Sequence, residues 1–220
     1  MPLQQDVAAT ARHLHAAGWV ANHDGNVSAR ATDQKRFFAT PTAVSKRLIN
    51  ADDVVTVDLA GKVLAGRKKL FGEWHLHAAC YAARPDVAAV VHAHPIHASA
   101  IGLARRSLGV PGLPEMVVSL GKSIPTLEYA MPKSPGQDAA LKSALTAGDA
   151  DVVLIAGNGV VAVGADLEQA LLRLELVEHY AKMWLAALPL GGITALPESD
   201  LQKLLEARTK AGLGQAARRG

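Results

Sequence analysis

The stretch DVVLIAGNGVVAVG, residues 151–164, constrains the fold most. Two apolar runs, each too short for a helix and rich in β-branched residues, flank Gly157-Asn158-Gly159, a strong turn signal. They read as two buried strands. VAAVVHAHP (87–95) reads as another short buried strand, ended by Pro95. RFFAT (36–40) is β-like, and DVVTVDLAGKVLAG (53–66) alternates around Gly61-Lys62 as a hairpin does.

Helical spacing appears in between. Residues 4–18 place Val7, Ala8, Ala11, Leu14 and Ala17 on one stripe that ends at Gly18. GEWHLHAACYAARPD (72–86) sets Trp74, His77, Ala78 and Tyr81 to one side and closes at Pro85. IHASAIGLARRSLG (96–109), GQDAALKSALTAG (136–148) and the long amphipathic DLEQALLRLELVEHYAKMWLAAL (166–188) are further helices. PEMVVSLGKSIPTLEYA (114–130) is expected to be a loop with one or two strand-like pieces, and DGNVSAR (24–30) a β element with Gly25, Asn26 and Ser28 in a turn. Strands and helices intermix without a regular βαβ repeat, which predicts an α/β fold. Its architecture is three-layer α/β/α around a mostly antiparallel central sheet. One domain over residues 1–190 is expected, followed by a C-terminal connection and helix (191–220) that is mobile.

A chain of 220 residues with 50% hydrophobic content buries one substantial core. Lys and Arg number 23 against 20 Asp and Glu, much of the excess lies in residues 203–220, and Phe, Trp and Tyr occur three times each. That argues against a nucleic-acid surface, which needs a basic face interleaved with stacking aromatics. No apolar run approaches the ~20 residues that span a bilayer. The lone Cys80 leaves no internal disulfide framework, and the first residues carry no apolar leader, so a cytoplasmic protein is expected.

Three of the nine histidines fall at 92, 94 and 97. Side chains two apart on a strand share a face, so His92 and His94 point the same way. Two imidazoles on one face are half of a catalytic metal site, which usually offers three protein ligands and one open position. The competing reading is a polar pair bonded to nearby backbone. Glu73 opens a helix with His77 one turn on; it either complements the helix N-terminus or serves as a general base beside a metal. Gly25, Asn26 and Ser28, and then Thr40, Thr42, Ser45 and Lys46, offer donors to an anion, although both sequences are also ordinary turn chemistry.

Taken in order, GNVSAR, TPTAVSK, GEWHLHAACY, VVHAHP, SIPTLEYA, NGVVAVG and LEQALLRLELVEHYAKMW resemble the class II aldolase/adducin family over residues 5–188. The resemblance implies the same α/β/α fold, a homotetramer with active sites at subunit interfaces, and a divalent metal, commonly zinc, held by three histidines. The implied chemistry is stabilisation of an enediolate during carbon–carbon cleavage of a small-molecule substrate. His92 and His94 match the first two ligands and Glu73 the acid/base residue; Asn26, Thr42 and Ala43 stand where substrate phosphate is held. His97 falls outside this pattern, as a polar contact at a helix start.

Three positions depart from the family's pattern. Asn158 stands in place of the third histidine; its amide oxygen is a harder ligand, better suited to magnesium or manganese than to zinc. Phe71 and Gly72 replace a phosphate-binding serine pair, which points to an unphosphorylated carbonyl or hydroxy-acid substrate with an apolar portion on Phe71. Glu115 stands where a neighbouring subunit lends a tyrosine as proton donor, with Tyr129 as the alternative hydroxyl. The expected activity is that of a metal-dependent aldolase or related decarboxylase. The alternatives are an epimerase of the same family and a non-catalytic, adducin-like interaction module.

Overall fold

The computed structural model describes residues 2–131, 133–147 and 150–214. In chain order the elements are α1 (Pro2–Ala16), β1 (Asn26–Arg30), β2 (Phe37–Ala39), β3 (Val55–Val57), β4 (Val63–Ala65), α2 (Trp74–Ala83), β5 (Ala89–Ala93) and α3 (Ile96–Leu103). They continue with α4 (Pro114–Leu120), β6 (Thr126–Leu127), α5 (Pro135–Thr146), β7 (Val152–Ile155), β8 (Val160–Gly164), α6 (Leu167–Ala187) and α7 (Glu198–Lys210). The strands form one sheet in the order β4-β3-β2-β1-β5-β8-β7-β6. Every neighbouring pair is antiparallel except β6 and β7.

The alternation of each strand sorts its residues between two cores. Val27 and Ala29 of β1, with Ala89, Val91 and Ala93 of β5, pack beneath α1 and α6. Val90, one residue out of phase, joins Phe37, Leu76, Leu141 and Val161 beneath α2 and α5. Burying one such branched side chain is worth about 1.5–3 kcal/mol, so the apolar halves of the strands set the register. That register pairs Asn26 with His92 and Ser28 with Val90. Asn26, Ser28 and His92 therefore share the face that α2 covers.

DGNVSAR is the expected β element from Asn26 onward, since Val27 and Ala29 supply an inward apolar alternation that pairs with β5; Asn26 and Ser28, expected in a turn, lie in that strand. A second expectation is also corrected. Residues 114–120 are helix rather than loop: Pro114 occupies the first turn, and Met116, Val117 and Leu120 are buried at helical spacing. The β-branched pair Val117-Val118 reads as strand-like locally, but α4 packs against α6 and α7. The C-terminal helix, expected to be mobile, is docked on α4 over 198–210 with Leu201 and Arg208 buried; residues 215–220 lie outside the described residues. Arg208 reaches the buried carboxylate of Asp151 at 2.7 Å, which also pairs with Arg84 at 3.0 Å and Arg173 at 2.9 Å.

Candidate active site

β5 ends where α2 begins to cross the sheet, and this junction gathers the polar side chains. Glu73 immediately precedes α2, yet its carboxylate makes no capping bond to that helix. It turns to the sheet instead. Asn26 donates to Oε2 at 3.0 Å and Asn158 donates to Oε1 at 2.8 Å. Nε2 of His92 stands 3.4 Å from Oε2, an electrostatic approach rather than a hydrogen bond. Burial pushes the Glu73 carboxyl up, but the His92 ring and the two amide donors outweigh it and hold the group well below the usual carboxylate range.

Both histidines commit one nitrogen and leave the other open. Nδ1 of His92 donates to the Val160 carbonyl at 3.0 Å, and Nδ1 of His94 lies 3.0 Å from the Asp24 carboxylate. Each ring is thereby fixed with Nδ1 committed and Nε2 turned inward, the arrangement that metal-ligating histidines show. Against the effect of burial, Glu73 raises the His92 pKa, so an ion bound there would displace a proton from that ring. Among the described residues, both Nε2 atoms are buried without a hydrogen-bond partner. The ring centroids are 5.4 Å apart. Burial and the adjacent His92 ring hold His94 below the ordinary imidazole range, which favours a neutral ring with a free lone pair.

Two glycines make the close approach possible. Gly25, at φ +68°, lets the loop carrying Asp24 pass over β5: a Cβ there would lie 3.2 Å from the His92 carbonyl oxygen and 2.3 Å from Val20 Cγ1. Gly159, at φ +71°, brings the turn with Asn158 against His94; a Cβ there would lie 2.3 Å from both the Ala93 carbonyl oxygen and His94 Cδ2.

The other expected site residues divide. Thr42 and Ala43 lie beside the segment leading to Glu73, since Thr42 N–H donates to the Lys69 carbonyl at 2.9 Å, and Ala43 holds φ +56°. Gly72 faces open space, and a methyl group added there would meet nothing within 4 Å. Phe71 is corrected: only 7% exposed, its ring packs on Trp74 and His77 in the second core instead of offering a face to substrate. Ser28 is corrected too, because its fully buried hydroxyl bonds His77 and Tyr81 rather than facing an anion. Lys46 is not a surface lysine; it is 2% exposed and donates to the His23 carbonyl at 3.1 Å, bracing the loop that holds Asp24.

Tyr129 stands beside the Asn158 turn, where a Cβ on Gly157 would meet its ring at 3.1 Å; half exposed, its hydroxyl donates to Met131 Sδ at 3.2 Å. Glu115 is elsewhere in the chain. Its carboxylate accepts from Ser119 and lines a cleft with Asp166 and Gln169 near the Gly164 end of β8, whereas His92 pairs near the opposite end, at Val161. His97 is the helix-start contact expected: Glu178 accepts from its ring at 2.7 Å and from the backbone N–H groups of His97 and Ala98 at 3.0 Å.

Asp24, His77 and Tyr81 are participants that sequence reasoning does not assign. A signal existed, since Glu73, His77 and Tyr81 recur every fourth residue and so form a polar stripe on the helix side that meets the sheet. Among the described residues, no group of three or more His, Cys, Asp or Glu converges as a metal cluster. Asn158, outside that set of residue types, stands on the other side of Glu73 from Asn26 as its second amide donor.

The sequence profile of the "Class II Aldolase and Adducin N-terminal domain" matches residues 5–185. A 5-methylthioribulose-1-phosphate/5-deoxyribulose-1-phosphate aldolase of Escherichia coli O45:K1 is 29% identical over 216 residues, covering 96% of this chain and 97% of the relative. The L-fuculose phosphate aldolase of Escherichia coli K12 is 31% identical over 191 residues, 86% of each chain. A solved L-fuculose 1-phosphate aldolase superposes with a TM-score of 0.83 at 25% identity, covering 93% of this chain and 95% of the other. With the profile spanning most of the sequence and the α/β/α fold shared throughout, the chain belongs to the class II aldolase and adducin family and is an aldolase-like enzyme.

Proposed function

We propose that the chain is a metal-dependent carbon–carbon lyase, an aldolase or a related decarboxylase, acting on a small carbonyl or hydroxy-acid substrate. The observation that carries the reading is the pair of buried Nε2 atoms on His92 and His94, each without a partner beside an ionised carboxylate. A buried ring nitrogen without a hydrogen-bond partner is costly, about 1–3 kcal/mol, and a cation shared by the two rings would account for both. His92 and His94 would hold that ion, with the Asn158 amide oxygen after a flip of its side chain. Imidazole favours zinc, whereas the amide admits manganese or magnesium.

A divalent ion there supplies Lewis-acid polarisation of a substrate carbonyl. The protein's own part is proton transfer and placement. Glu73 is ionised, 3.4 Å from the His92 ring and bonded to Asn158, so it takes the proton. Asn26 holds its Oε2 in place, and Val160 and Asp24 hold the two rings. Phe71 and Gly72 contribute no hydroxyl donors, which supports a substrate that does not depend on a phosphate group, unlike those in the relatives' names. Glu115, remote within its own chain, would reach a site only from a neighbouring copy, in keeping with a homotetramer whose sites lie between subunits.

Metal content of protein purified without added metal or chelator tests the reading, with about one ion per chain expected. Glu73→Gln is expected to abolish turnover while retaining that ion; loss of the ion would make Glu73 a ligand. Absence of metal even after soaking with zinc and manganese would overturn the lyase and favour the non-catalytic module, to which the missing third histidine also points.

A further inference from the structure

Behind Glu73 lies a buried line of hydrogen bonds that the reaction proposed above does not use. The Tyr81 hydroxyl is 2.7 Å from Ser28 Oγ, Ser28 Oγ is 2.7 Å from His77 Nδ1, and His77 Nε2 is 2.6 Å from Asn26 Oδ1. Asn26 Nδ2 then donates to Glu73 at 3.0 Å. Ser28 and His77 have no exposed surface at all, and the rings of Phe71 and Trp74 cover His77 with centroids 4.9 and 6.0 Å away. Water has no access to substitute for Ser28 or His77.

The direction of every bond follows from the carboxylate end. An ionised carboxylate only accepts, so Asn26 must turn its NH2 group to Glu73 and its oxygen to His77. An amide oxygen only accepts, so the His77 proton sits on Nε2. A neutral ring then has its lone pair on Nδ1, and the Ser28 hydroxyl donates to it while accepting from Tyr81. Burial, together with the charge of His92, holds His77 well below the ordinary imidazole range against the pull of Glu73, and burial raises the Tyr81 phenol. Both groups stay neutral across physiological pH.

We infer that His77 is a positioning residue for Glu73: held as the Nε2–H form by Ser28 and Tyr81, it locks the Asn26 amide in the one orientation that donates to the carboxylate. The opposite amide orientation would set oxygen against oxygen at Glu73 and two N–H groups against each other at His77. The inference rests on Glu73 as the proton-transferring group, and adds what keeps that group in place before substrate arrives. Ser28, Asn26 and His77 come from a strand and a helix about fifty residues apart in sequence, brought together by the register of β1 and β5.

Ring-nitrogen NMR of histidine-labelled protein, without metal or substrate, tests the tautomer directly between pH 5.5 and 8. One ring, identified by its loss in His77→Gln, is expected to keep a protonated Nε2 and a bare Nδ1 throughout. A protonated Nδ1, or a titrating ring, overturns the inference whether or not the lyase reading holds. The second arm follows deuterium incorporation into dihydroxyacetone and dihydroxyacetone phosphate in heavy water. His77→Leu is expected to lower kcat at least tenfold with KM changed less than threefold. His77→Gln, whose amide can still donate to Asn26, is expected to recover most of that loss. Equal losses in the two variants, with unchanged melting temperatures, would show that the tautomer does not matter and sink the proposal. If wild-type protein exchanges neither compound, the lyase reading is at fault, and the nitrogen spectra still decide the role of His77.

Discussion

Replacing Gly159 by alanine tests how tightly the turn with Asn158 is pressed onto the histidine pair. Two costs add. An L-residue held at φ +71° loses about 1–2 kcal/mol relative to its preferred conformations. The new methyl would also stand 2.3 Å from the Ala93 carbonyl oxygen and from His94 Cδ2, and the carbonyl is pinned because Ala93 pairs with Val160 in the sheet. Such overpacking costs about 1–3 kcal/mol, so the variant should lose roughly 2–5 kcal/mol. At about 2–4 °C per kcal/mol for a domain of this size, melting should fall by roughly 4–20 °C. The relieving motion is rotation of the His94 ring away from the turn, so zinc affinity, measured by competition with a chromophoric chelator, should drop about tenfold or more. Gly72→Ala is the control: it meets no atom within 4 Å and needs no positive φ, so it should stay within about 0.5 kcal/mol of the parent. If Gly159→Ala behaves like Gly72→Ala in both assays, the turn does not press on His94 and the geometry argued here is wrong.

Asp151→Asn should cost about 3–5 kcal/mol in urea denaturation, because it leaves three buried guanidinium groups facing a neutral amide. Burial raises the Asp151 carboxyl, but Arg173, Arg208 and Arg84 outweigh it and lower its pKa. The stabilisation is therefore fully present above the unfolded value of about 3.9 and disappears as pH falls through the lower folded value. Acid titration of stability should accordingly be flatter below pH 4 in the asparagine variant, and an unchanged profile would contradict the assignment. Asn158→His should tighten zinc binding measured by chelator competition; unchanged affinity would place residue 158 away from the ion. Cys80 is fully buried and its thiol is pushed up by burial, so it should resist alkylation at neutral pH until the chain is unfolded.

Much of this architecture was written in local patterns. The apolar runs of β5, β7 and β8, the hairpin of β3 and β4, and the stripes of α1, α2 and α6 all fall where periodicity puts them. That His92 stands beside Glu73, 3.4 Å away, is an implication of the family resemblance and not of any local pattern. What escaped depends on contacts between distant segments. Val117 and Val118 favour a strand locally, and only packing on α6 and α7 makes α4 a helix. Ser28 looks like turn chemistry until its partner strand is known, and Phe71 looks available to substrate until Trp74 and His77 close over it. Asp24 could not be linked to His94 from sequence, since a loop seventy residues away has to fold over β5 first.

The two cores and the polar machinery are settled by a single choice of pairing. Because Asn26 sits opposite His92, sliding β1 by one position would turn Val27 and Ala29 toward α2 and hide Asn26 and Ser28 against α1. Such a slip would strand apolar and polar groups at the same moment, so the misaligned chain is penalised twice and the chemistry inherits its accuracy from oily residues that never touch substrate. Substitutions at Val27, Ala29 or Ala93 that merely loosen packing are thus expected to surface first as lost proton transfer, ahead of any visible unfolding.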